Sequence, residues 1–154
     1  GDERLQKAAL FGANEVIDIT QFDTVESQVQ EALRLTENGR GADVVIEAVG
    51  KPEVWEEALQ IVRKGGKVTF FGGCKSGTRI SVDTVQLHYS EITLRGVFHQ
   101  TPEDFRRSLK LLSSRLVDGR EFIKETVPLS ELLKAFKWVK ELKGIKYAID
   151  PSVM

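Results

Sequence analysis

Three side chains of this sequence belong to the types that most often bind zinc or act as nucleophiles: Cys74, His88 and His99. A zinc site needs at least three thiolate, imidazole or carboxylate ligands from the protein, set at characteristic spacings. One cysteine and two scattered histidines do not meet that need, so we predict neither a metal site nor a catalytic residue in this chain. Cys74 follows two glycines and could lie near a ligand, but we expect it to be a small, partly buried residue. We expect His88 to be a linker or packing residue.

Glycines at the ends of two apolar runs offer a different chemistry. Residues 42–49 are followed by Gly50, and residues 67–71 are followed by Gly72 and Gly73. Continuous apolar runs are typical of strands buried in a parallel sheet, and ligands of such sheets bind beyond the carboxyl ends of the strands. Glycine lets the backbone approach a ligand closely, but it also makes tight turns. From the residues alone, both interpretations stay open.

The order of the apolar patterns predicts alternating strands and helices, and therefore an α/β fold with a parallel sheet. Thr101-Pro102-Glu103-Asp104 combines an N-cap, a proline at the first helical position and acids in the first turn. Ser130 is expected to cap a last helix whose inward residues are Leu133, Phe136 and Val139. Strands are predicted at 15–19, 43–49, 67–71, 92–98, 122–127 and 146–149, and helices at 3–11, 24–36, 53–63, 102–116 and from 130 on.

The composition narrows the class of protein. The 154 residues are 41% hydrophobic and 29% charged, as expected of a soluble globular domain. With 22 Lys and Arg against 23 Asp and Glu, the net charge is −1, which argues against a surface for nucleic acid or for an anionic membrane. No apolar run approaches the roughly 18–20 residues that span a bilayer. A single cysteine excludes an internal disulfide framework, and we expect a cytoplasmic protein.

Four segments, in this order and spacing, carry a specific resemblance. They are ERLQKAALFGANEVI at 3–17, GADVVIEAVG at 41–50, GGKVTFFGG at 65–73 and LRGVFHQTPEDF at 94–105. Together they make the chain resemble the C-terminal, cofactor-domain half of a zinc-containing medium-chain alcohol dehydrogenase. A generic doubly wound domain, such as that of a methyltransferase, would not explain the last 60 residues.

The resemblance implies a set of cofactor contacts. Backbone at Phe71, Gly72 and Gly73 would lie along the nicotinamide riboside, and backbone at Val97, Phe98 and His99 would hold the carboxamide. The remaining implied contacts are Val49 and Lys51 at the adenine, Arg4 near the adenosine ribose and Lys146 at the pyrophosphate. Each of these last four has an ordinary structural alternative, as a core residue or a solvated charge.

The resemblance also identifies what the sequence lacks. No G-x-G-x-x-G motif is present, and the family's first two strands, ribose-binding acid and zinc ligands would all precede residue 3. We therefore expect a partial doubly wound, Rossmann-type parallel sheet without those two strands, followed by C-terminal helix–strand segments. The strand at 43–49 should then expose an open edge, or be covered by residues 15–19 or by another chain.

The implied function is that of a fragment of an oxidoreductase. The parent enzyme would transfer a hydride between a small polyol or secondary alcohol and NAD or NADP, with zinc as the Lewis acid. The chain alone should be inactive and should hold the cofactor weakly. Residues 1–120 would form a partial dinucleotide-binding domain, 121–154 would return to the catalytic domain, and 80–98 would pair two copies into a homodimer. The alternative is a stand-alone Rossmann-like binding or regulatory module without catalysis.

Overall fold

The computed structural model describes residues 2–153, which form two compact units. One unit spans residues 17–99, and the other joins the residues up to 16 to those from 100 on. The helices are α1 (Asp2–Leu10), α2 (Val25–Arg34), α3 (Pro52–Ile61), α4 (Thr84–Tyr89), α5 (Pro102–Ser113) and α6 (Leu132–Lys140). The strands are β1 (Ala42–Glu47), β2 (Val62–Phe70), β3 (Thr93–Gly96), β4 (Ile123–Pro128) and β5 (Lys146–Asp150). None of the described helices is long and apolar enough to cross a bilayer.

A three-stranded parallel sheet, in the order β1-β2-β3, organises the unit of residues 17–99. Its core contains Val68, which has no exposed surface, together with Ala58 and Leu59 from α3. The predicted α/β fold with a parallel sheet is confirmed. The register places Glu47 beside Phe70, and Phe70 beside Gly96, so the carboxyl ends of all three strands lie level.

The helix starts follow from local hydrogen bonds. Thr24 caps α2 in a reciprocal capping box with Ser27, and Thr101 caps α5 in the same way with Asp104. Pro52 occupies the first turn of α3, where its missing N–H costs nothing. The strand β2 begins at Val62, earlier than the predicted residue 67, and its pairing with β1 shifts register over the intervening residues.

The predicted strand at 15–19 is wrong. Residues 15–18 have no regular structure, and Ile19–Gln21 form a 3₁₀ turn. The Asp18 side chain accepts a hydrogen bond from the Thr20 N–H, and this local bond competes with strand pairing. Among the described residues β1 therefore pairs with β2 alone, and its Val44 and Ile46 are 55% and 67% exposed. Of the expected arrangements, cover by residues 15–19 is therefore wrong, and within the described chain one edge of β1 is unpaired; cover by another chain stays a prediction.

The other unit contains β4 and β5, which pair in parallel, and α6, which connects them. Its most buried residues are Val127 and Ala135. Two predictions for α6 are wrong: Ser130 lies in a 3₁₀ turn before the helix and does not cap it, and the stripe expected to face inward is exposed. The exposed residues of that stripe are Leu133, Phe136 and Val139. The helix instead turns its small residue, Ala135, to the two-stranded sheet, which offers too little apolar area to cover the larger stripe.

Candidate functional site

A cavity of about 450 Å³ opens at the carboxyl ends of β2 and β3. Phe71–Gly73 leave β2 on one side of it, and Val97 and Phe98 leave β3 on the other. The level register of Phe70 and Gly96 is the reason that these two segments meet. The structure thus brings together five of the ten residues implied as cofactor contacts.

The wall of this cavity is aromatic. The Trp55 ring stacks on Phe70, with 3.9 Å between ring centroids and 15° between planes. The Trp55 indole N–H donates a hydrogen bond of 3.1 Å to the carbonyl oxygen of Gly72, which fixes the ring against the loop after β2. Phe71 and Phe98 also line the cavity and are 68% and 86% exposed. A flat apolar wall of this kind suits a planar ligand.

Two neighbouring glycines of the loop after β2 have opposite surroundings. A Cβ atom on Gly72 would lie 2.7 Å from the backbone nitrogen of Val49, so Gly72 is packed against the turn that follows β1. A Cβ atom on Gly73 would meet no atom within 4 Å, and the same holds for Gly96 on the other side of the cavity. Gly72 therefore closes the loop onto the sheet, whereas Gly73 and Gly96 leave space that a ligand could fill.

Glu47, at the end of β1, is a residue that the sequence interpretation missed. It is 3% exposed, and its Oε1 accepts hydrogen bonds from the N–H groups of Val49 (2.6 Å) and Gly50 (2.8 Å). Its backbone carbonyl accepts from the N–H groups of Phe71 and Gly72, so this one residue ties together the loops that follow β1 and β2. Oε2 is buried without a hydrogen-bond partner among the described residues. The available signal was an acid that directly follows the apolar run Val44–Ile46 at the end of the strand.

Val49 and Lys51 lie outside the large cavity. Val49 is 61% exposed and lines a separate cavity of about 300 Å³ with Ile46, Val54 and other residues of β1 and α3. Lys51 is exposed at the N-terminus of α3. The turn that carries both is nevertheless held against the loop after β2, because Gly50, with φ of +79°, approaches the backbone of Gly73 so closely that a Cβ would lie 2.6 Å from its carbonyl oxygen.

The three remaining residues implied as cofactor contacts are His99, Arg4 and Lys146. His99 does not line the cavity; its ring lies 3.6 Å from that of Phe98, and its φ of +62° is in the left-handed region. Arg4 on α1 and Lys146 at the start of β5 are exposed and belong to the other unit. Within residues 2–153, no group of three or more His, Cys, Asp and Glu side chains could hold a metal ion.

Cys74 follows Gly73 in the cavity wall, and its surroundings raise the pKa of its thiol. Burial is the main cause, and the charges of Glu47 and then Glu53 add to it. Neutralising Glu47 removes one of these causes, so Glu47→Gln should lower the pKa of Cys74 and increase the thiolate fraction at any given pH. We expect the rate of alkylation by iodoacetamide to rise at lower pH in this variant than in the wild type.

The control for this prediction is Glu53→Gln. Glu53 contributes less than Glu47 to the raised pKa of Cys74, so this variant should shift the pH profile of alkylation less. Circular dichroism would establish that both variants are folded. A profile that stays unchanged in Glu47→Gln, or that moves to higher pH, would contradict the arrangement described here.

Comparisons with known proteins agree with this architecture. A sequence family described as zinc-binding dehydrogenase matches residues 1–114. The sorbitol dehydrogenase of Bacillus subtilis (strain 168) is 27% identical over 151 residues, which cover 97% of this chain and 41% of that protein. A probable D-xylulose reductase A of Arthroderma otae is 31% identical over 148 residues, covering 96% and 40% respectively. The chain thus spans about 40% of the length of these curated relatives.

Solved structures share the fold. The zinc-dependent alcohol dehydrogenase 2 from Streptococcus pneumonia, in its apo form, superposes with a TM-score of 0.83 at 27% identity, over 100% of this chain and 43% of that one. An alcohol dehydrogenase from Thermotoga maritima gives a TM-score of 0.84 at 22% identity, over 97% of this chain and 40% of that one. The three-stranded sheet and the segments around it therefore have the Rossmann-type architecture of the nucleotide-binding half of such enzymes.

Proposed function

Because this chain belongs to the zinc-binding dehydrogenase family, we propose that it is the cofactor-binding part of an oxidoreductase. That enzyme transfers a hydride between an alcohol and a nicotinamide cofactor, NAD or NADP. The substrate is a small polyol or another secondary alcohol, a choice supported by relatives named sorbitol dehydrogenase and D-xylulose reductase. In this family zinc supplies Lewis-acid polarisation of the alcohol oxygen. The described residues of this chain do not fit a zinc ion, so we assign no ligand here and derive no step through the metal.

The observation that carries the proposal is the cavity between Phe71–Gly73 and Gly96–Phe98. The open space beside Gly73 and Gly96 forms a cradle in which a flat ring can lie directly on the backbone. The aromatic wall around Trp55 excludes water from one side of that ring. These features suit the nicotinamide riboside. The role of this chain is then to bind and orient the cofactor.

The proposal is tested by titrating the chain with NADH and following the fluorescence of Trp55, in a Trp138→Phe background so that a single tryptophan reports. We expect weak, saturable binding with a dissociation constant of about 0.1–1 mM, because no glycine-rich turn is available to hold the pyrophosphate. Gly73→Val should weaken binding about tenfold, since its side chain would occupy the cradle.

Thermal unfolding provides the control, because Gly73→Val should leave the melting temperature near that of the wild type. NADH binding that is unaffected by Gly73→Val would rule out this cavity as the nicotinamide site. Binding in the low-micromolar range would favour the alternative of a stand-alone nucleotide-binding module.

Three further expectations belong to the same proposal. We propose that residues 1–120 belong to a partial dinucleotide-binding domain and that residues 121–154 belong to the catalytic domain of the parent enzyme. Residues 80–98 form the contact between two copies in a homodimer, an assignment supported by the position of β3 at the second edge of the three-stranded sheet. A cytoplasmic location completes the proposal.

A further inference from the structure

Two cationic side chains, Lys75 and Arg79, line the same cavity as the glycine cradle. No Asp or Glu is among the lining residues. Within residues 2–153 neither cation takes part in an ion pair or a side-chain hydrogen bond, and both are exposed. Among the described residues, about half of the other basic side chains have an acid within 4 Å, as Arg63 does with Asp43. The lining of the cavity therefore carries two positive charges that form no ion pair among the described residues.

Lys75 begins a tight turn, and Arg79 directly follows it. The Thr78 N–H donates a hydrogen bond of 3.2 Å to the carbonyl oxygen of Lys75, and Gly77, with φ of +83°, lets the chain reverse. Thr78 also lines the cavity and carries a hydroxyl group. An ammonium, a guanidinium and a hydroxyl on one short segment form a donor set that suits a phosphate group.

The buried acid Glu47 forms no ion pair with either cation. Glu47 is not a lining residue; it lies beneath Gly72 and directs Oε1 to the N–H groups of Val49 and Gly50. The cavity thus has an aromatic wall at Trp55 and a cationic segment at residues 75–79. A ligand with a planar or polyhydroxy body and one phosphate would satisfy both sides.

We propose that Lys75 and Arg79 bind a phosphate group of the ligand that occupies this cavity. The inference rests on the proposed function, since it adds a phosphate contact to the site assigned to the nicotinamide riboside. The phosphate comes from one of two sources: the nicotinamide-side phosphate of the cofactor, or a phosphorylated polyol substrate. The chemistry of recognition is the same for both.

The experiment compares matched ligands with and without phosphate on the chain, by backbone amide shifts in two-dimensional NMR. The pairs are nicotinamide mononucleotide against nicotinamide riboside, and sorbitol 6-phosphate against sorbitol. We expect the phosphorylated member of at least one pair to bind about tenfold more tightly and to shift the amides of residues 75–79, with an advantage that declines as salt is added.

The variant Lys75→Gln/Arg79→Gln should remove this advantage. The matched control is Arg106→Gln/Lys110→Gln on the exposed surface of α5, which removes the same charge away from the cavity and should retain the advantage. An advantage that persists in the Lys75→Gln/Arg79→Gln variant, or equal binding within both pairs, would overturn the inference.

The two ligand pairs separate the sources and separate this inference from the proposed function. A phosphate advantage with nicotinamide mononucleotide assigns the contact to the cofactor, and one with sorbitol 6-phosphate assigns it to the substrate. If nicotinamide riboside shifts the amides of Phe71–Gly73 but phosphate adds nothing, the proposed function stands and the inference fails. If sorbitol 6-phosphate gains from its phosphate while no nicotinamide ligand shifts Phe71–Gly73, the inference stands and the proposed function fails.

Discussion

Gly72→Ala should destabilise the unit of residues 17–99 by about 3 kcal/mol. The added Cβ would lie 2.7 Å from the backbone nitrogen of Val49 and 2.8 Å from Oε2 of Glu47, and closer still to the backbone nitrogen of Gly50. Two of these neighbours are backbone atoms that cannot rotate away, so the loops after β1 and β2 would have to separate. Urea unfolding monitored by Trp55 fluorescence, in the Trp138→Phe background, measures the loss.

The neighbouring substitution Gly73→Ala is the matched control. Its Cβ would meet nothing within 4 Å, so the free energy of unfolding should change by less than about 0.5 kcal/mol. The pair distinguishes a packed glycine from a glycine that leaves room for a ligand. Equal destabilisation by the two substitutions would show that the loop after β2 is not held as described.

Glu47→Ala is the second substitution with a large expected effect, a destabilisation of about 3 kcal/mol. The change removes the acceptor of two partly buried backbone N–H groups, those of Val49 and Gly50, and leaves a cavity beneath Gly72. Glu47→Gln keeps one carbonyl oxygen for both donors and should recover most of the loss. Urea unfolding of the two variants gives both values.

An exposed acid of the neighbouring helix provides the comparison. Glu53→Ala, in the first turn of α3, should cost no more than about 0.5 kcal/mol through its interaction with the helix dipole. If Glu47→Gln were as destabilising as Glu47→Ala, the negative charge rather than the hydrogen-bond acceptor would hold the turn at 49–50.

Sequence patterns correctly predicted those elements that are marked by an apolar run or by a capping motif in neighbouring residues. The run from Ala42 to Glu47 and the capped start of α5 at Thr101 were both predicted close to their observed bounds. The predicted strand at 15–19 was wrong because the hydrogen bond from Thr20 to Asp18 is a local alternative that apolar spacing does not register. The stripe of α6 was misplaced because the periodicity identifies an apolar face but not the area available to cover it.

The sequence by itself determined the α/β class, the resemblance to a family, and two glycine-bearing loops whose role, ligand contact or tight turn, it left open. Those properties depend on neighbours in the chain. Only the tertiary structure decided that Phe71–Gly73 and Val97–Phe98 share one cavity while Val49 lines another. It also decided that Glu47 is buried beneath Gly72 and that Lys75 and Arg79 face the same space as the glycine cradle. These contacts follow from the register between parallel strands, which joins residues far apart in the chain and leaves no periodic signal in the sequence.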